Sequence, residues 1–211
     1  MLWLFMDEPL GLYREACDVV GTDPYVLLGD ISWSARSWRL AREQIGPDQP
    51  FWAVVQCFGP GYETSHPTET REPTYDEERA ATLAAIAEGA TGIIYYCYHS
   101  LERSPRFEER FGELDRIAGE VQSLGPIVAL PDAKQPVEVE TGTLSVLTKK
   151  GRDRLYVLLV STMREDQEVA LKLPGGKREV RDVRSGERLI AEGERVRMKI
   201  PALGARLLEV K

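Results

Sequence analysis

The stretch Phe51-Trp52-Ala53-Val54-Val55-Gln56-Cys57-Phe58-Gly59-Pro60-Gly61 decides the fold class. Apart from Gln56 its first eight residues are apolar, so both faces of an extended chain would be apolar, and a Gly-Pro-Gly turn then stops it. A strand wetted on one side alternates; a strand apolar on both sides belongs in a buried parallel sheet. Three other runs have this form: Leu2–Met6 before Asp7-Glu8-Pro9, Cys17–Gly21 before Thr22-Asp23-Pro24-Tyr25, and Thr91–Tyr98 before His99-Ser100. Helical patterns lie between and after them. Ser34 to Ile45 is stopped by Gly46-Pro47. Thr74-Tyr75-Asp76-Glu77 has the form of a capping box and opens an alanine-rich helix that ends at Gly89. Phe107, Phe111, Leu114, Ile117, Val121 and Leu124 recur at helical spacing. The segment between Glu8 and Cys17 is short for a crossover helix, since a parallel pair needs about a dozen residues or more there.

After Gly125-Pro126 the pattern changes. Val137–Glu140, Leu144–Thr148, Leu155–Ser161, Glu168–Leu173, Glu179–Val183, Arg195–Ile200 and Arg206–Val210 alternate or run β-branched, with turn residues between them. These short strands predict an antiparallel β-sandwich. The expected organisation is α/β plus all-β: a partial β/α unit over residues 1–128 and a small sandwich over 129–211.

Charge follows the same division. Residues 1–130 hold 10 Lys and Arg against 21 Asp and Glu, a net of -11, and residues 131–211 hold 17 against 13, a net of +4, which together give the whole-chain -7. The first part has no lysine, yet it holds all four Trp, all five Phe, all three Cys, both His and seven of the eight Tyr. The chemistry is therefore expected there. The second part reads as a sandwich with a solvated, charged face.

Several classes are excluded. Hydrophobic content of 43% and charged content of 29% are those of a globular chain. No apolar run reaches the roughly 20 residues that span a bilayer, so no membrane partner is expected. The acidic balance gives no footprint for nucleic acid. Cys17, Cys57 and Cys97 lie on apolar runs and read as free thiols rather than a disulfide framework. With no signal sequence in front of them, they point to the cytoplasm; a secreted protein would follow if a longer natural N-terminus carried a signal. His66 with Glu63 and Glu69 is not spaced as a preformed metal site, and neither a dinucleotide fingerprint nor a phosphate loop is present, so no metal or cofactor is expected.

In parallel β/α folds the ligand sits at the carboxyl ends of the strands. The residues that fall there are Asp7 and Glu8, Asp23 and Tyr25, Gln56, and Tyr96, Tyr98 and His99, with Trp33, Tyr62 and His66 on following loops. Carboxylates and amides bridge hydroxyls, and flat rings stack on the apolar faces of sugars. Each residue also has a structural reading: Glu8 as a turn cap, Asp23 as an Asx turn before Pro24, Gln56 as a satisfied buried amide, His99 as a surface histidine. Tyr95 and Tyr96 alternate, so one faces the helices and the other the opposite side.

On these residues the chain resembles the (β/α)8-barrel glycoside hydrolases of the retaining type. Asp7-Glu8-Pro9 looks like the end of their fourth strand, where the Glu is the acid/base. Asp18 to Tyr25 resembles the sixth strand, Pro50 to Gln56 the seventh, and Arg71-Glu72-Pro73-Thr74 through Tyr96 the last helix and eighth strand. A small sandwich commonly follows such barrels. The resemblance covers most of residues 1–125 and implies hydrolysis of O-glycosidic bonds in an oligosaccharide. Glu8 would protonate the leaving oxygen and Asp23 would act as base or transition-state stabiliser. Asp7, Tyr25, Trp33, Gln56, Tyr96, Tyr98 and His99 would hold the sugar.

The departures matter equally. A whole barrel takes about 250 residues. The first three strands and the fifth unit have no counterpart, so the piece is expected to be half a barrel with open edges. A homo-oligomer would pair such halves, or the sandwich or helices would cover them. Gln56 stands where the resemblance places the nucleophile, and a neutral amide cannot serve as one. Asp23, then Glu63, are the remaining partners. The alternative is a non-catalytic carbohydrate-binding or structural remnant, or a fragment whose other half is required.

Overall fold

The computed structural model describes residues 2–4, 10–25, 29–59, 71–175 and 179–211, with the side chains of 2–4 outside the description. The chain divides into two compact units, Met1–Gly119 and Glu120–Lys211.

The first unit carries a four-stranded parallel sheet in sequence order: β1 (Leu2–Leu4), β2 (Val20–Thr22), β3 (Phe51–Gln56) and β4 (Gly92–Tyr96). The register runs Leu2 to Val20, Val20 to Phe51, and Trp52 to Gly92. The second strand begins later than its apolar run because Arg14–Ala16 forms a 3-10 turn, leaving Val20 as the first residue to bond across, to the Pro50 carbonyl. Among the described residues of the crossover between β1 and β2 there are two such turns, Leu10–Leu12 and Arg14–Ala16.

Helix α1 (Ile31–Ile45) starts three residues before the predicted Ser34 because Asp30 caps it, its carboxylate accepting from Ser32 N at 2.9 Å. Helix α2 (Tyr75–Ala87) opens on the predicted capping box: Thr74 Oγ1 accepts from Glu77 N at 3.3 Å, and Glu77 Oε2 accepts from Thr74 N at 2.8 Å. Gly89 follows with φ +92°, the left-handed conformation of a helix stop. A short α3 (Tyr98–Glu102) precedes α4 (Phe107–Val128). This last helix passes through Pro126, where an end was expected. Proline forfeits one amide bond, but its fixed φ is helical, so the final turn survives. Leu114, Ile117 and Leu124 of the predicted stripe are buried, while Phe111 is half exposed.

The helices are tied in the order of the strands. Gly11 N donates to Gln44 Oε1 on α1, Arg39 forks onto Glu88 behind α2 at 2.9 and 2.6 Å, and Arg110 of α4 reaches Glu78 of α2. Arg110 and Glu78 are fully buried. Arg110 Nη1 also donates to the Pro73 carbonyl at 2.5 Å and to Glu113 at 3.2 Å. Burial pushes the Glu78 carboxyl up to about 8, with Arg110 opposing the rise.

The second unit holds two antiparallel sheets. One contains β6 (Leu144–Lys150), β7 (Leu155–Ser161), β9 (Val180–Asp182), β10 (Arg188–Leu189) and β13 (Ala205–Val210), in the order β10-β9-β13-β7-β6. The other contains β5 (Glu138–Thr141), β8 (Gln167–Lys172), β11 (Ala191–Glu192) and β12 (Arg195–Ile200), in the order β11-β12-β8-β5. The seven predicted strands are all present, and β10 and β11 are two-residue additions too short to show a period. Val157 and Leu159 of the first sheet and Val169, Leu171, Val196 and Ile200 of the second share one buried core. The pattern of β12, with Val196, Met198 and Ile200 buried and Arg195, Arg197 and Lys199 exposed, is the alternation of a one-face-wetted strand.

Candidate functional site

Strand parity sorts the side chains of the parallel sheet. Tyr95 lies on the helix side, its hydroxyl 2.9 Å from Thr82 Oγ1 of α2. Phe51 is on the same side, with the Arg42 guanidinium of α1 5.5 Å from its ring centre. Trp52, Val54, Gln56, Gly92 and Tyr96 therefore fall on the opposite face, and the register sets Gln56 beside Tyr96. Gly92 is required there: a Cβ would meet the Trp52 ring at 2.6 Å.

At the carboxyl end of this face three rings gather. Tyr25 stacks on Tyr96 with centroids 5.6 Å apart and an interplanar angle of 12°. Phe58 stands edge-on to both, at 5.1 Å from Tyr25 and 6.3 Å from Tyr96. Phe58 is buried, Tyr25 is half-buried and Tyr96 is 37% exposed, so the stack has a protected base and an open edge. Cys97 packs against Phe58 beneath it. Gln56 is buried and its amide donates to the Phe58 carbonyl at 3.4 Å, which steadies the turn that carries the ring.

Asp23 follows β2 and is half-buried. Burial raises its carboxyl above the ordinary aspartate range, while a hydrogen bond with the Tyr25 side chain and one from its own backbone draw it back. The Ser34 hydroxyl, on the first turn of α1, donates to the Pro24 carbonyl at 3.1 Å and pins the Asp23–Tyr25 corner. A desolvated carboxylate bonded to a ring of the stack has the chemistry of a hydroxyl-binding group and, when ionised, of a base.

The predicted residues thus divide. Asp23, Tyr25, Gln56 and Tyr96 come together. Tyr98 and His99 enter α3 immediately after Cys97: the Tyr98 ring meets Phe107 at 6.1 Å, and His99 Nε2 lies 3.7 Å from Cys97 Sγ. Trp33 is half-buried on the first turn of α1 and has no ring contact among the described residues, whereas Trp38 is core. Asp7, Glu8, Tyr62, Glu63, His66 and Glu69 lie outside the described residues. Phe58 and Cys97 belong to the cluster but were not singled out from sequence. Phe58 was findable, because two-residue alternation from Trp52 through Val54 and Gln56 places it on the same face. All three cysteines are free thiols, and burial pushes the Cys57 thiol well up. Among the described residues no group of three or more His, Cys, Asp or Glu could hold a metal, and no helix is long and apolar enough to cross a membrane.

No family model and no curated protein sequence matches the chain. Solved structures do. The α-amylase of Geobacillus thermoleovorans, complexed with acarbose, is 12% identical with a TM-score of 0.52, over 99% of this chain and 60% of that one. An AmyP variant in complex with maltotriose gives 10% identity and a TM-score of 0.61, over 100% and 56%. The Anoxybacillus α-amylase gives 9% and 0.51, over 95% and 55%. The chain spans between 55% and 60% of the length of these three chains. The likeness shows that the chain shares a fold with part of these structures.

Proposed function

We propose that the chain is a carbohydrate-active protein, half of a (β/α)8 barrel followed by a β-sandwich, whose site lies at the carboxyl ends of the parallel strands. The observation that carries this reading is the cluster of Asp23, Tyr25, Gln56, Phe58 and Tyr96: an open aromatic stack flanked by a desolvated carboxylate and a buried amide. Stacked rings take the apolar face of a sugar, and the carboxylate and amide take its hydroxyls. The ligand class is an oligosaccharide; two of the similar structures are complexes with acarbose and with maltotriose.

The reaction is hydrolysis of an O-glycosidic bond. Glu8 protonates the leaving oxygen as general acid, and Asp23 acts as base or stabiliser of the positive charge developing on the sugar ring. Carboxyl groups about 5–5.5 Å apart would give retention, and a gap of about 6.5–9.5 Å would admit a water and give inversion. Asp7, Trp33, Tyr98 and His99 extend the binding surface. The three free thiols suit a reducing compartment such as the cytoplasm. The open halves pair as a homo-oligomer.

A panel of aryl glycosides tests this with wild type, Glu8→Gln and Asp23→Asn. Turnover that falls by about a hundredfold or more in Glu8→Gln supports the acid role, and turnover that survives removes it. Gln56, standing where the resemblance puts a nucleophile, favours a second reading: a binding protein without turnover. Sugar affinity measured by calorimetry in the absence of hydrolysis would select it.

A further inference from the structure

The described chain leaves the parallel sheet at Gly59, the residue after the buried ring of Phe58, and resumes as Arg71-Glu72-Pro73 before the Thr74 cap of α2. These two ends meet. A Cβ on Gly59 would lie 2.8 Å from Glu72 Cα and 2.9 Å from Glu72 N, so a side chain there would force the two backbones apart. Three arginines hold the resuming end. Arg71 donates to the Glu72 carbonyl at 2.9 Å and forks onto Glu77 at 2.7 and 2.5 Å. Arg106 Nη1 lies 3.7 Å from the Glu72 carboxylate. Arg110, fully buried on α4, donates to the Pro73 carbonyl and to Glu113 and pairs with Glu78.

A fully buried ion pair is weak evidence for stability, because apolar side chains of similar volume often fill the same space at no loss. This pair also leaves Glu78 Oε2 and Arg110 Nε without a hydrogen-bond partner among the described residues, a further cost. What an apolar pair could not do is hold the buried Pro73 carbonyl, which needs a donor. Both charges also act at the end of β3. Burial pushes the Cys57 thiol well up, Glu78 adds to the rise and Arg110 opposes it. We propose that Arg110 is a positioning residue for the aromatic site: by holding Pro73 it keeps Glu72 against Gly59, and so fixes where the Phe58 ring stands against Tyr25 and Tyr96. The inference rests on the sugar-site reading above and names the group that shapes that site from behind. Phe58 is edge-on to both tyrosines, at 5.1 and 6.3 Å, so a shift at Gly59 reaches the stack through one residue. Arg110 itself acts only through Pro73, Glu72 and Gly59.

The test uses the full chain and a readout that needs no sugar. Cys97 packs against Phe58 and is buried, so its alkylation by iodoacetamide, mapped by peptide mass, reports whether Phe58 is in place. In Glu78→Met/Arg110→Met both buried charges go together, so the denaturation midpoint should stay near that of wild type. Cys97 labelling should nevertheless rise roughly tenfold or more, the size of one lost hydrogen bond from a charged group. Gly59→Ala drives the same contact apart from the other side and should label similarly. Arg39→Ala cuts the Arg39–Glu88 pair at the opposite end of α2 and should leave labelling unchanged. Oligosaccharide affinity, read by calorimetry, should fall roughly tenfold in the first two variants, as for loss of one contact ring, and hold in the third. If wild type binds no sugar, labelling still decides the positioning role, and the sugar-site reading is what falls. A double variant of wild-type stability that labels at the wild-type rate overturns the proposal. So does faster labelling with sugar affinity unmoved, or Arg39→Ala labelling as fast as the others. If the double variant does not fold, Gly59→Ala decides alone, and labelling at the wild-type rate overturns the role.

Discussion

The two units treat their apolar surface differently. In Glu120–Lys211 the apolar faces of two antiparallel sheets share one core, and charge alternates outward along strands such as Arg195–Ile200. In Met1–Gly119 the helix side of the parallel sheet is covered, but the opposite side keeps Trp52 and Ile94 half-exposed and Tyr96 open. The difference follows from strand chemistry. An alternating strand needs one partner layer, whereas a strand apolar on both faces needs two. The second unit meets its need within the chain. The first leaves an aromatic, carboxylate-edged surface, which is what a binding site or an interface requires.

This contrast can be broken at graded points. The largest effect is expected at Arg110. Arg110→Met removes the cation from a fully buried pair and should cost about 3–5 kcal/mol in chemical denaturation. In the second unit, Leu171→Ala empties a fully buried position of the shared core and should cost about 2–5 kcal/mol. If that loss were no larger than for an exposed leucine, the core would not be shared. Thr74→Ala, which deletes half of the capping box, should cost about 1 kcal/mol. Tyr96→Ala should cost about 0.5–1.5 kcal/mol, the loss of its stacking on Tyr25 by a ring that is partly open to water, while weakening sugar binding.

Glu78 adds a pH dependence that the second unit should lack. Its folded value of about 8 lies above its unfolded value of 4.5. The folded state therefore holds more protons between those values, and the stability contribution, complete below pH 4.5, is lost as pH rises through 8. A denaturation series across that window should show stability declining for wild type and a flatter profile for Glu78→Gln.

Much of this was legible in the sequence, for identifiable reasons. Phe51–Gln56 and Gly92–Tyr96 are apolar on both faces and bounded by turns, and both form buried or half-buried parallel strands. Thr74 and Glu77 announce their own hydrogen bonds. The alternation of the second unit predicted its long strands. Less was readable where tertiary contacts decide. Arg14–Ala16 coils although its neighbourhood is apolar, α4 runs through Pro126, and two-residue strands carry no period. In the site, parity brought Gln56 and Tyr96 together. The placement of Tyr98 and His99 depended on a helix beginning directly after Cys97, for which no capping residue gives notice.

The central claim is that the Tyr25–Tyr96 stack with Asp23 binds carbohydrate. Calorimetric titration of an oligosaccharide panel into wild type and Tyr96→Ala tests it most directly, since binding is read apart from turnover. At least one oligosaccharide should bind wild type, with its affinity falling roughly tenfold or more in Tyr96→Ala, the loss of one stacking ring. A panel that shows no binding, or binding untouched by Tyr96→Ala, would contradict the assignment of the site.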